Sequence, residues 1–184
     1  MIKNWETLED NFVTDLRIFK VRMKKRKNPE TGLTSQFVML DSPDWVNIIP
    51  VTVENKIVMI EQYRHGTDSI TLELPGGMVE QGEMFIDAAR RECLEETGFE
   101  GNGIPEKIGE VFPNPAFMNN KCTTFLWREC VKVSEQNLDH DELIKIKEFS
   151  FKEVKSLIEN GVIRHAIILN AFFFLFLKNE YKFD

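Results

Sequence analysis

Polar and apolar residues alternate over residues 16–23 and again over 34–40, with the turn-forming run Lys27, Asn28, Pro29, Glu30, Thr31 and Gly32 between them. Period-two patterning around such a run predicts an antiparallel hairpin in the first forty residues. Two denser apolar stretches, 46–52 and 57–63, flank Glu54, Asn55 and Lys56 and predict a second hairpin. A short strand over 70–74 then enters Pro75, Gly76 and Gly77. From 84 to 97 the spacing becomes helical, and Gly98 stands where helices commonly close. Strands follow at 107–111, 123–133 and 144–149, then helices at 151–160 and 164–178 separated by Gly161. Mixed strands with few helices, and no repeat or linker, predict an α/β (α+β mixed sheet) sandwich in one compact domain.

Composition narrows the function classes. The 184-residue chain has average hydrophobic and charged fractions for a globular protein and a formal net charge of −7. That charge argues against a surface for the nucleic-acid backbone. The basic run Lys20, Arg22, Lys24, Lys25, Arg26 and Lys27 alternates along a strand up to Lys24, which reads as a solvated face. The first residues carry acids where a signal peptide needs an apolar core. The apolar stretch 166–177 is shorter than the roughly 20 residues a membrane-crossing helix needs and reads as a buried helix. The three cysteines show no metal-ligand pairing and suit a reducing, cytoplasmic setting.

The chemistry lies in the helix over 84–97. Glu92, Glu95 and Glu96 stand at i, i+3 and i+4, so a helix gathers them on one face, while Ile86, Ala89 and Cys93 give it an apolar side. Two carboxylates about 5 Å apart repel by roughly 3 kcal/mol at an effective dielectric near 20. A divalent cation converts that repulsion into binding, and hard oxygen donors without neighbouring Cys or His favour Mg²⁺, with Mn²⁺ as the alternative.

Gly77, Glu83, Arg91, Glu92, Glu95, Glu96 and Gly98 fall on the spacing Gly-x5-Glu-x7-Arg-Glu-U-x-Glu-Glu-x-Gly-U, where U is bulky and apolar. By residue frequencies alone, that agreement arises on the order of once in a million chains or less. The pattern resembles the Nudix box, with Cys93 at the first U, a small hydrophobe that removes no chemistry. The resemblance implies the Nudix α/β/α sandwich, here with an N-terminal antiparallel hairpin extension. It implies that Glu92, Glu95 and Glu96 ligate or orient Mg²⁺, with the Gly76 carbonyl as a further ligand. Arg91, in the catalytic helix, would pair with Glu83 and fix the preceding loop. Residues 1–43 would form a hairpin region that dimerises and residues 44–184 the hydrolase domain, since relatives of this kind are usually homodimers.

Outside the box the chain is similar to ADP-ribose and nucleoside-diphosphate-sugar pyrophosphatases. Gln62, Tyr63 and Arg64 end a strand, Leu72, Glu73, Leu74 and Pro75 lead into Gly76, and Pro115 lies sixteen residues after Phe99. The subfamily's Ser-Pro-Gly is here Asn114, Pro115 and Ala116, which widens the expected substrates to nucleoside diphosphate sugars generally. Arg64 suits a phosphate through its planar fork, Trp45 a nucleobase by stacking, and Glu73 and Pro115 complete the expected substrate set. In such relatives a glutamate on a late loop assists catalysis. Here Glu142 aligns best, with Asp139, His140 and Asp141 as alternatives on the same loop.

The implied reaction is Mg²⁺-assisted hydrolysis of ADP-ribose or a related sugar nucleotide to a nucleoside monophosphate and a sugar phosphate. Glu95 belongs to the catalytic set as well as to the metal set. Two other readings of the box exist: a non-catalytic nucleotide-sugar sensor that regulates a partner, and a pyrophosphatase that cleanses nucleoside triphosphates. Partners beyond the small-molecule substrate and a second subunit, whether nucleic acid or membrane, are not expected.

Overall fold

The computed structural model describes residues 1–181; the last three positions of the expected second domain lie outside the described residues. The chain divides into two compact units, Met1–Asp44 with Phe112–Lys121, and Trp45–Val111 with the chain from Cys122 onward.

The first unit is a three-stranded antiparallel sheet of β1 (Glu6–Asp15), β2 (Lys20–Lys27) and β3 (Thr34–Asp41). The expected hairpin is β2–β3, closed where Asn28 Oδ1 accepts from the amides of Glu30 and Thr31, but its first strand starts at Lys20 and runs through Lys27, because residues 16–19 form the turn from β1. Strand β1 is not foreshadowed by the patterning. Its pairing with β2 is irregular between Thr7 and Glu9 and between Phe12 and Thr14, and each extra residue resets the alternation that betrays a strand. β1 also answers the basic run. Asp10 pairs with Arg22 at 2.7 Å and Lys24 at 3.2 Å, and Glu9 pairs with Lys25 at 3.1 Å. The far end of β3 is knitted to residues 112–121, where Leu40 bridges Met118 and Asn119 Nδ2 donates to Asp41 at 2.9 Å.

The second unit contains β4 (Trp45–Thr52), β5 (Ile57–Arg64), β6 (Ser69–Glu73), α1 (Phe85–Thr97), β7 (Phe99–Glu100), β8 (Glu106–Val111), β9 (Cys122–Lys132), β10 (Ile144–Phe149), α2 (Phe151–Glu159) and α3 (Ala166–Leu177). Its sheet runs β10-β5-β4-β9-β7, with β6 on β5 and β8 on β9. β4 and β9 are parallel and the other pairs antiparallel, giving the mixed sheet expected. Central β4 is buried on both faces, which explains its unbroken apolar run. Val46 and Ile48 pack toward Ala88, Ala89 and Cys93 of α1, whereas Ile49 and Val51 pack toward α2 and α3. Helices on both faces make the α/β/α sandwich.

Helix α3 departs from expectation in its burial. Ile168, Ala171, Phe172 and Leu175 are buried, but Phe173, Phe176 and Leu177 are more than half exposed, so one side alone meets the core. Among the described residues no helix is long and apolar enough to cross a membrane.

Candidate active site

Loop and helix are locked together by contacts that only small residues permit. After β6 the chain folds back on β4: the Ile48 amide donates to the Pro75 carbonyl at 3.0 Å and the Val46 amide to the Gly77 carbonyl at 2.9 Å. A Cβ on Gly76 would lie 2.2 Å from the Val46 carbonyl oxygen, so no side chain fits there. At its other end α1 closes on Gly98, whose φ of 70° is left-handed and whose amide returns to the Leu94 carbonyl.

α1 carries its carboxylates toward this loop. Glu96 is 3% exposed, and its Oε2 accepts from the Gly76 amide at 2.8 Å. Burial pushes its carboxyl up to about 9; the Gly76 bond opposes that rise, and the charges of Glu92 and Glu142 add to it. Burial also raises Glu92, against the pull of Arg91. Arg91 organises the rest. Its guanidinium binds both oxygens of Glu83 at 2.9 and 3.1 Å and donates to the Met78 carbonyl at 3.1 Å. From Nη1 it also reaches Glu92 at 2.9 Å and Glu95 at 3.1 Å. Glu83 is held below the usual carboxylate range by Arg91, while Arg91 is raised chiefly by Glu83.

These groups line a cavity of about 260 Å³ whose wall includes Arg64, Gly76, Gly77, Arg91, Glu92, Glu95, Glu96 and Glu142. The expected metal set, Gly76, Glu92, Glu95 and Glu96, is therefore on one wall, with Arg64 and Glu142 facing the same space. The donor set fits a hard cation: all side-chain donors are carboxylates, burial raises Glu92 despite Arg91 and raises Glu96, and a Cβ at Gly77 would sit 2.5 Å from Glu92 Oε1. Yet among the described residues no three His, Cys, Asp or Glu side chains are already gathered closely enough to cage an ion. Glu92 and Glu95 are turned onto Arg91, and Glu96 onto Gly76.

The remaining expected residues are placed differently. Glu73 is 1% exposed and has no free oxygen. Oε1 accepts from Arg64 Nε at 2.8 Å and Thr71 at 2.7 Å, and Oε2 meets Arg64 Nη2 at 2.8 Å and His165 Nδ1 at 2.9 Å. Both oxygens of Glu73 thus hold Arg64, Thr71 and His165. Burial opposes its charge, but the bonds from Arg64 and His165 outweigh burial and hold it well below the usual range. Trp45, bridged to Met78 at the start of β4, is not on the cavity wall, and Pro115 belongs to the first unit. His140 and Asp141 are fully exposed and pair with each other, whereas Asp139 and Glu142 face the cavity. Sequence reading misses His165, 92 positions from Glu73, because no local pattern links them. It also misses Glu80 and Asn137 on the wall. The three thiols are free and buried, with Cys122 and Cys130 pushed up to about 12 by burial.

Comparison with known proteins gives a consistent picture. The model of the NUDIX domain matches residues 42–172. The chain is 30% identical over 148 residues to an ADP-ribose pyrophosphatase of Bacillus subtilis, covering 80% of each protein. It is 29% identical to a methanol dehydrogenase activator of Bacillus methanolicus, covering 96% of this chain and 95% of that one. A crystal structure of an ADP compounds hydrolase superposes with a TM-score of 0.85 at 22% identity, covering 98% of this chain and 97% of that one.

Proposed function

The chain belongs to the NUDIX family, and from that premise we propose that it hydrolyses the pyrophosphate bond of ADP-ribose or a related nucleoside diphosphate sugar. The products are a nucleoside monophosphate and a sugar phosphate. The observation that carries this reading is the shared wall of Glu92, Glu95, Glu96, Arg64 and Glu142 beside the Gly76–Gly77 loop.

Each residue has a task that its surroundings suit. Glu92, Glu95, Glu96 and the Gly76 carbonyl would hold Mg²⁺, or Mn²⁺ in its place. When bound, such an ion lowers the pKa of an attacking water and neutralises charge growing on the phosphate oxygens. Arg91 keeps the loop before α1 in place through Glu83 and Met78. Arg64, with Nε and Nη2 fixed by Glu73, offers Nη1 to a phosphate oxygen. Glu142 takes the proton from water as one P–O bond forms and the bridging P–O bond breaks. Trp45 and Pro115 remain candidates for the nucleoside end.

A homodimer is part of the proposal. Phe12, Val13, Leu16, Ile18 and Val38 of the first unit are about half exposed, more apolar surface than a small sheet usually leaves in water. Sedimentation at micromolar concentration would give a two-subunit mass; a monomer would remove this part alone. The buried free thiols suit a reducing cytoplasm.

Likeness to the methanol dehydrogenase activator over nearly the whole chain favours one second reading, a sensor that regulates a partner. The intact carboxylate set favours catalysis. Incubating the protein with ADP-ribose and Mg²⁺ and identifying products separates the readings: AMP with ribose 5-phosphate supports hydrolysis, no turnover supports the sensor. Pyrophosphate release from nucleoside triphosphates would instead indicate a cleansing enzyme.

A further inference from the structure

The segment between β9 and β10 carries Glu142, and its attachment to α1 is unusually direct. Val133 and Ser134 donate their amides to the Gly98 carbonyl at 2.8 and 3.2 Å, and the Asn137 amide donates to the Glu95 carbonyl at 2.8 Å. Between them, the side-chain amide of Gln136 donates to the Glu96 carbonyl at 2.6 Å and to the Ile144 carbonyl at 3.4 Å. One NH₂ group, with its two protons, thus spans the end of the carboxylate helix and the first residue of β10. Ile144 pairs with Gln62 on β5, so both anchors are fixed in the sheet and helix. The loop of six residues between Asn137 and Ile144 is largely exposed and has few holds of its own: the Asp139 amide donates to Glu142 Oε2 at 3.1 Å and the Glu142 amide to the Asp139 carbonyl at 3.0 Å. A loop so lightly held takes its position from its ends.

We infer that Gln136 is a positioning residue that clamps both ends of the Glu142 loop and so sets the reach of Glu142 over Glu92, Glu95 and Glu96. The inference rests on the role proposed above for Glu142. Gln136→Met keeps length but loses both donors. Gln136→Lys keeps a donor, and a cation is favoured at a helix C-terminus.

At saturating Mg²⁺, Gln136→Met should lower kcat for ADP-ribose by about 10- to 100-fold, as expected when a reacting group is displaced by about 1 Å, while KM and the Mg²⁺ requirement stay near parent values. Gln136→Lys should recover most of the loss. In the metal-free protein, hydrogen exchange over Asn137–Leu143 should quicken in the Gln136→Met variant and return toward parent in the Gln136→Lys variant. In a Glu142→Gln background, adding Gln136→Met should cost nothing further. If the Gln136→Met protein fails to fold, Gln136→Glu, which also lacks donors, replaces it.

Parent kcat in the Gln136→Met variant, equal losses in Gln136→Met and Gln136→Lys, multiplicative losses in the double variant, or a defect confined to Mg²⁺ affinity would each overturn the clamp. A Glu142→Gln protein with full activity would instead remove the role of Glu142, and the clamp with it. Slow Glu142→Gln beside a fast Gln136→Met would remove the clamp alone.

Discussion

Acidic side chains occur in two settings in this protein. On β1, Asp10 and Glu9 lie opposite Arg22, Lys24 and Lys25, half open to water, and each has its cation. On α1, Glu92 and Glu95 share the single guanidinium of Arg91, which already serves Glu83, and Glu96 is buried without any cation within bonding reach among the described contacts. Exposed, balanced charges contribute little to stability, because water and salt screen them and ordering the side chains costs entropy. Buried, unbalanced charges are costly, and a fold that retains them does so where another charge is to be bound. The difference separates a solvated surface from a reaction centre better than any count of carboxylates does.

The comparison breaks most decisively at Glu96. Glu96→Gln should reduce turnover by about 10³-fold or more, since on the proposed reading it removes a cation ligand beside the phosphate that is attacked. The metal-free variant should melt close to the parent near neutral pH, because burial pushes the Glu96 carboxyl up to about 9 and the amide then replaces a group that is already uncharged. Calorimetry with and without Mg²⁺ gives the check: the ion should raise the parent's Tm and leave the variant's nearly unmoved.

Glu73 tests the opposite case, a buried charge that is paired. Glu73→Gln should cost on the order of 3 kcal/mol, as breaking buried pairs does. Its carboxyl is held below the usual range by Arg64 and His165, against burial, so the unfolded chain takes up the proton first as pH falls. The stability contributed is therefore full above an unfolded pKa of about 4.3 and is lost as pH drops below it. Urea titrations between pH 6 and 3 should show a steeper decline in the parent than in the variant; parallel curves would mean the network is not coupled to folding.

Glu142→Gln sharpens the picture within the cavity. It should slow hydrolysis by about 10²-fold, the low end for loss of a general base, while leaving urea stability unchanged. An unaltered rate would pass the role to Asp139, the other acid of that loop on the wall. Asp10→Asn is the smallest change. It should leave turnover and Tm where they were, even though Asp10 makes two ion pairs, because those pairs stand in solvent.

Much of the sandwich is legible from patterning. Alternation and helical spacing locate β4 to β6, α1, β9, β10 and the two final helices to within two residues, since each buries a face of definite period. Where the period is disturbed, reading fails: the bulged β1 escapes it, and so does β7, which has only two residues. The carboxylate helix is equally legible, because i, i+3 and i+4 neighbours share a face whatever surrounds them.

What sequence alone determined is local: the box spacing, the glycine loop and the acidic face of α1. Tertiary structure decided who meets whom at a distance. It turned Glu73 inward onto Arg64 and His165, set Glu96 on the Gly76 amide, and tied Gln136 across the ends of the Glu142 loop. Periodicity along a chain fixes which face a residue takes, but burial and hydrogen-bond satisfaction choose its partner, and those depend on elements far away in the chain.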